Sequence, residues 1–187
     1  MDPTLSLCSP AKLNLFLHIN GRRGPEQSHP GYHELQTAFQ ILDRGDTIHF
    51  SARSDGEIHI TPEFPDIPLE DNLIYKAALE LKSAGELIGK SDTNLGAQIH
   101  VEKNLPMGGG LGGGSSNAAT TLLALNHLWH LELSTDQLAK IGARLGADIP
   151  VFVRGHTSLA EGIGDKLSPI HLDEQWFVVL SPKCHVN

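Results

Sequence analysis

The sequence predicts an α+β fold in which strands come first and paired helices later. Three features point to it: an alternating apolar segment over residues 11–19 with further strand candidates behind it, helical spacing over 73–87, 115–131 and 134–145, and a glycine run at 108–114 set between a strand and a helix. With 187 residues, 40% of them hydrophobic and 19% charged, the chain is long enough for one good core, or for one core and part of a second.

The first strand is read from Leu13, Leu15, Leu17 and Ile19, which share one face, while Lys12, Asn14 and His18 fall among the other positions. This is the pattern of a half-buried strand, and it sets Lys12 and Asn14 side by side. Residues 21–31 collect Gly, Pro, Ser and charge, and read as a loop ending in Gly31-Tyr32-His33-Glu34-Leu35. Strands are expected over 34–42, 46–52 and 57–61, with the Pro-rich 61–68 as a connection. Asp71-Asn72 supplies a capping residue before Leu73, Ala77, Ala78, Leu81 and Ala84, which recur at helical spacing. Residues 97–103 read as a strand leading into the glycine run. Ala118, Ala119, Leu122, Leu123 and Leu125 mark the helix after it, and Ser134 opens another with Asp136 and Gln137 in its first turn and Gly146 at the C-terminal cap position. Short strands are expected at 149–153, 156–161 and 176–180.

A formal net charge of −8 and a pI near 5.7 argue against general affinity for nucleic acid or anionic membrane surfaces. Any phosphate must therefore be held locally. Cys8 and Cys184 lie near opposite ends with no CxxC pair, which fits a reducing cytoplasm. Residues 1–9 lack a basic region followed by an apolar core, and no run reaches the length needed to span a bilayer, so the chain reads as soluble and cytoplasmic.

Pro106-Met107-Gly108-Gly109-Gly110-Leu111-Gly112-Gly113-Gly114-Ser115-Ser116-Asn117 sits at a strand-to-helix junction, where a flexible spacer is out of place. Glycines let backbone amides turn inward and approach a polyphosphate without side-chain clash, and the following helix adds its unpaired amides and positive dipole end. Ser115, Ser116 and Asn117 can cap that helix, donate to phosphate oxygens, or do both. A Walker loop needs Lys followed by Ser or Thr after its last glycine, and residues 108–117 contain no Lys. Gly108, Gly110 and Gly113 fit GxGxxG, with Glu132 at the distance of a ribose-binding acid, but a dinucleotide fold returns to a strand where Ser134 here starts a second helix.

Pro10-Ala11-Lys12-Leu13-Asn14-Leu15, Gly31-Tyr32-His33, residues 105–119 and Leu145-Gly146-Ala147-Asp148-Ile149-Pro150-Val151-Phe152 together resemble the GHMP kinases. The resemblance covers nearly the whole chain. The glycine-serine segment resembles the superfamily at large, whereas the other three resemble its branch that phosphorylates a cytidine diphosphate conjugate of methylerythritol. The fold implied is the GHMP kinase N-terminal domain, similar to ribosomal protein S5 domain 2. The activity implied is MgATP-dependent phosphorylation of a free hydroxyl, with Asp148 taking the proton and Lys12 orienting it and stabilising developing charge. Read alone, Asp148 is a turn residue and Lys12 a solvated strand lysine; the resemblance gives them roles. It likewise implies that Tyr32 stacks on cytosine, that His33 bonds its polar edge, and that Asn14 contacts substrate near the reacting hydroxyl. Asn72, Leu73, Lys103 and Met107 are implied for the adenine and ribose pocket, and Pro106 for the nucleotide site at large. Gly108, Gly109, Gly110, Gly112, Gly113, Gly114, Ser115 and Ser116 are implied for the phosphates.

Members of that branch continue into a second domain, so residues 1–172 are expected to form the ATP- and substrate-binding domain and 173–187 to begin a C-terminal one cut short. The resemblance implies a small-molecule substrate and no protein partner. Magnesium is expected to arrive with ATP, with Ser115 or Ser116 as possible ligands. Among the 11 histidines, His127 and His130 are three apart and His29 and His33 four apart, but Pro30 and Gly31 break any helix between the latter and no third ligand is suitably spaced, so no protein-held metal is expected. Three other readings compete: another GHMP kinase acting on a small alcohol or acid, a noncatalytic nucleotide-binding module, and a dinucleotide oxidoreductase.

Overall fold

The structure, a computed structural model, describes residues 4–26, 28, 30–89 and 95–180. It begins with two long strands, β1 (Thr4–Arg22) and β2 (His33–Arg53), paired antiparallel from Thr4 opposite Ser51 to Arg22 opposite His33. β2 is one continuous strand where the sequence suggested two separated by Asp43-Arg44-Gly45. The chain runs straight on because Gly45 lies against β1: a Cβ there would stand 2.0 Å from the Ser9 carbonyl oxygen, so only glycine lets the two backbones stay paired across Pro10.

The remaining elements follow in order: β3 (Ile58–Thr61), α1 (Leu73–Leu87), β4 (Gly96–Glu102), α2 (Gly113–Leu128), α3 (Thr135–Leu145), α4 (Ile149–Arg154), β5 (Ser158–Gly162) and β6 (Lys166–Pro169). The sheet order is β3-β4-β2-β5-β6, with β1 also on β2, and only β3–β4 is parallel. Residues 47–53 of β2 pair with β4 and residues 35–39 with β5, so β2 is the spine of the sheet. Phe39, Ile48, Phe50, Ile99 and Val101 from the sheet join Leu81, Leu122, Leu125, Ile149 and Val151 from the helices in one core. The outer sheet surface is polar, with His49 stacked on His100 and bonded to Ser6. Local capping explains two helix starts. Asn72 accepts the Ile74 N–H at 2.9 Å, and Ser134 and Gln137 form a reciprocal capping box at the start of α3.

Three expectations are corrected. Residues 149–153 form most of α4 and not a strand: all five are buried, so no alternation distinguishes the two, and Pro150 sits in the first helical turn where its missing N–H costs nothing. Residues 176–180 form no strand, because among the described residues no other strand pairs with them; Trp176 and Val178 are each 91% exposed. In β1 the face turned to the core carries Ser9 and Ala11, while Leu15, Leu17 and Ile19 are exposed. β6 was not anticipated. The helix α2 is followed by α3 and not by a strand, which removes the dinucleotide-fold reading.

Candidate active site

A cleft of about 500 Å³ opens between the start of α1, the 103–112 loop and the start of α2. Its floor is set by β1. The Lys12 N–H donates to the Leu111 carbonyl at 2.9 Å, which fastens the glycine loop to the strand. The loop root is held by Asp46, whose side chain is fully buried, accepts the N–H groups of Asn104 at 2.8 Å and Leu105 at 2.9 Å, and pairs with Lys103. Within the loop Gly108, Gly110 and Gly112 have φ of 74°, 72° and 73°, alternating with residues of ordinary φ. Such alternation turns successive amides toward one side, the geometry of an anion nest. Gly112 then caps α2, whose first N–H groups have no partners inside the helix.

A Cβ on Gly112 would lie 2.7 Å from Phe152 Cζ and 3.2 Å from Lys12 Cε. Gly112→Ala is therefore expected to lower stability by about 1–3 kcal/mol, from left-handed strain plus contact. Thermal unfolding measures this, and ATP titration of the folded fraction should show weakened binding.

Lys12 is buried, with Nζ donating to Asn14 Oδ1 at 2.6 Å, standing 3.4 Å from Asp148 Oδ2 and 5.2 Å from the centre of the Phe39 ring. Asp148 ends the α3–α4 turn and makes no cap bond to α4; its side chain is 36% exposed and faces the cleft. A buried cation thus meets a carboxylate open to a ligand at the end of an amide-lined loop. This set can hold a polyphosphate and accept a proton beside it.

The cleft wall gathers Lys12, Asn72, Leu73, Lys103, Pro106, Met107, Gly108, Gly109, Gly110, Gly112, Gly113, Gly114, Ser115 and Asp148. Ser115 and Ser116 part company: Ser115 lines the cleft, whereas Ser116 is wholly buried and bonded to Ser9 Oγ at 2.9 Å, because it faces β1. Ser9 also donates to Asn117 at 2.8 Å, so these three residues lock α2 to β1. Asn14 bonds Lys12, is itself exposed, and is not among the residues lining this cleft. Tyr32 and His33 lie elsewhere. Tyr32 is exposed and lines a second cleft of about 760 Å³ with Gly146 and Ala147, next in sequence to Asp148; His33, at the start of β2, lines neither cleft. Asp46, Thr37 and Ser9 were not foreseen as parts of the site.

His127 and His130 have ring centres 6.4 Å apart, and His29 lies outside the described residues. Among the described residues no three or more His, Cys, Asp or Glu gather as metal ligands, and no helix is long and apolar enough to cross a membrane.

Residues 72–156, from the cap of α1 through the glycine loop to the end of α4, match the family profile described as "GHMP kinases N terminal domain". This segment is a GHMP kinase N-terminal domain. The GHMP domain holds the glycine loop and Asp148, while β1 adds Lys12 from outside the matched residues. Over 178 residues the chain is 58% identical to the 4-diphosphocytidyl-2-C-methyl-D-erythritol kinase of Chromohalobacter salexigens, covering 95% of this chain and 56% of that protein. It is 54% identical over 188 residues to the protein of the same name from Hahella chejuensis, covering 100% of this chain and 62% of that one. A crystal structure of 4-(cytidine 5'-diphospho)-2C-methyl-D-erythritol kinase superposes with a TM-score of 0.72 at 37% identity, covering 90% of this chain and 56% of that one. The chain thus spans less than two thirds of the length of the curated relatives it matches here.

Proposed function

We propose that the whole protein transfers the γ-phosphoryl group of MgATP to the 2-hydroxyl of the methylerythritol part of 4-diphosphocytidyl-2-C-methyl-D-erythritol, in the non-mevalonate route to isoprenoid precursors. The observation that carries the reading is the Lys12–Asp148 pair, 3.4 Å apart at the edge of the glycine-loop cleft. Identity of 54–58% to kinases of that name supports the substrate.

In this reading Asn72, Leu73, Lys103, Pro106 and Met107 receive adenine and ribose, and the amides of 108–115 receive the phosphates. The substrate hydroxyl oxygen forms a bond to the γ-phosphorus as the bond from that phosphorus to the β–γ bridging oxygen breaks, ADP leaves, and the hydroxyl proton passes to Asp148. Lys12 holds Asp148 in place and offers positive charge to the transferring group. Ser115, on the cleft wall, would be the serine to meet magnesium carried by ATP, which would supply charge neutralisation at the phosphates. Tyr32 and His33 are assigned to cytosine, and Asn14, which bonds Lys12, to contact with substrate near the reacting hydroxyl. Residues 1–172 form the ATP- and substrate-binding domain, and 173–187 belong to a following one. Cys8, an exposed free thiol, suits the cytoplasm.

The test is phosphorus NMR of the full-length protein with MgATP and the cytidine conjugate. A new phosphomonoester signal, suppressed by added CDP, is the expected result. A signal with other small alcohols that CDP leaves untouched would move the assignment to another GHMP kinase, and binding of ATP without transfer to any alcohol would leave a nucleotide-binding module.

A further inference from the structure

From Lys12 runs a chain of hydrogen bonds whose direction is enforced at both ends. Thr37, near the start of β2 and 1% exposed, donates its hydroxyl proton to the Phe16 carbonyl at 2.5 Å. That carbonyl is available because β1 slips in register between Asn14 and Leu17, leaving Phe16 out of the ladder with β2. With its single proton committed, the Thr37 oxygen can only accept, and it accepts from Asn14 Nδ2 at 2.9 Å. The amide of Asn14 is thereby turned so that Oδ1, and not the NH₂ group, meets Lys12 Nζ at 2.6 Å. The reverse orientation would set two donors against a buried ammonium.

We propose that Thr37 is a positioning residue for phosphoryl transfer: it anchors the Asn14 amide in the orientation that holds the Lys12 ammonium on Asp148. The proposal deepens the kinase reading and rests on it. Thr37 touches neither cleft. Its effect passes through two side chains to the reacting group. The Lys12 ammonium and the Thr37 oxygen select the same orientation from opposite ends of the Asn14 amide; Asn14 is itself exposed, and the Thr37 bond is what holds it against turning toward water.

The test compares Thr37→Val, which keeps shape and removes the hydroxyl, with Thr37→Ser, which restores it, in the full-length protein. Thr37→Val is expected to lower kcat by about 10–100-fold with KM for ATP changed less than about threefold, and Thr37→Ser to recover kcat to within about threefold. In parallel, NMR follows exchange with water of the Asn14 side-chain amide protons, assigned with Asn14→Ala. Thr37→Val should speed that exchange by about tenfold or more, and Thr37→Ser should not. Equal kcat in all three proteins, or equal exchange, overturns the proposal. If Thr37→Val unfolds, a Thr37→Ser protein with slowed kcat and released Asn14 overturns it as well. A wild-type protein that transfers no phosphoryl group overturns the kinase reading instead, and the exchange measurement still decides whether Thr37 holds Asn14.

Discussion

Asp148→Asn should lower kcat of the full-length protein by about 10²–10⁴-fold while ATP affinity stays nearly unchanged. Asparagine has the size and one acceptor of aspartate but cannot take up the hydroxyl proton, so the loss falls on the chemical step. The fold should survive. Asp148 makes no capping bond to α4, its side chain is about a third exposed, and its only ion pair among the described residues is with Lys12 at 3.4 Å. Lys12→Met should also slow the reaction, but with a different signature. It leaves Asn14 Oδ1 without its donor and removes a cation from the Phe39 ring, so a drop in melting temperature should accompany the loss of rate. Steady-state kinetics with ATP titration by calorimetry separate the two. A folded Asp148→Asn protein that keeps kcat within about threefold would show that another group takes the proton, and one that no longer binds ATP would place Asp148 in nucleotide binding.

How much of this was legible in the sequence depended on how local each cause is. The starts of α1 and α3 were readable because Asn72 and Ser134 act on amides two or three residues away. The glycine loop was readable because its chemistry lies within a dozen consecutive residues. Residues 149–153 of α4 read as a strand in the sequence, since burial of all five erases periodicity and their β-branched residues favour a strand by propensity alone. The Leu face of β1 misled for another reason. The core side of that strand is selected by the close approach of α2 and the glycine loop, which only small residues such as Ser9 and Ala11 permit. Of the site, Lys12 and Asp148 were named through family resemblance, 136 positions apart in the chain. The side chains that hold them could not be read. Asp46 meets Lys103 across 57 residues, Thr37 meets Asn14 across 23, and Ser9 meets Ser116 across 107, and no local pattern reports such partners.

Asp46 makes the strongest stability prediction. Its carboxylate is fully buried, and among the described residues its partners are Lys103 and the two amides that begin the glycine loop. Asp46→Ala removes all three bonds, strands the Lys103 charge in a largely buried place, and is expected to cost about 3–5 kcal/mol. Asp46→Asn divides the effect. Both amides reach Oδ1, which asparagine keeps, whereas its NH₂ group would replace Oδ2 facing the Lys103 ammonium. That variant should fall between wild type and Asp46→Ala, and Lys103→Met added to it should recover part of the loss by removing the opposed donors. Urea unfolding measures the series. Because the same amides fix where the loop departs from β4, ATP affinity of the folded Asp46→Ala protein should fall too. Unchanged affinity would mean that the loop keeps its shape through its left-handed glycines and the Lys12–Leu111 backbone bond alone, and that Asp46 stabilises the fold without shaping the site.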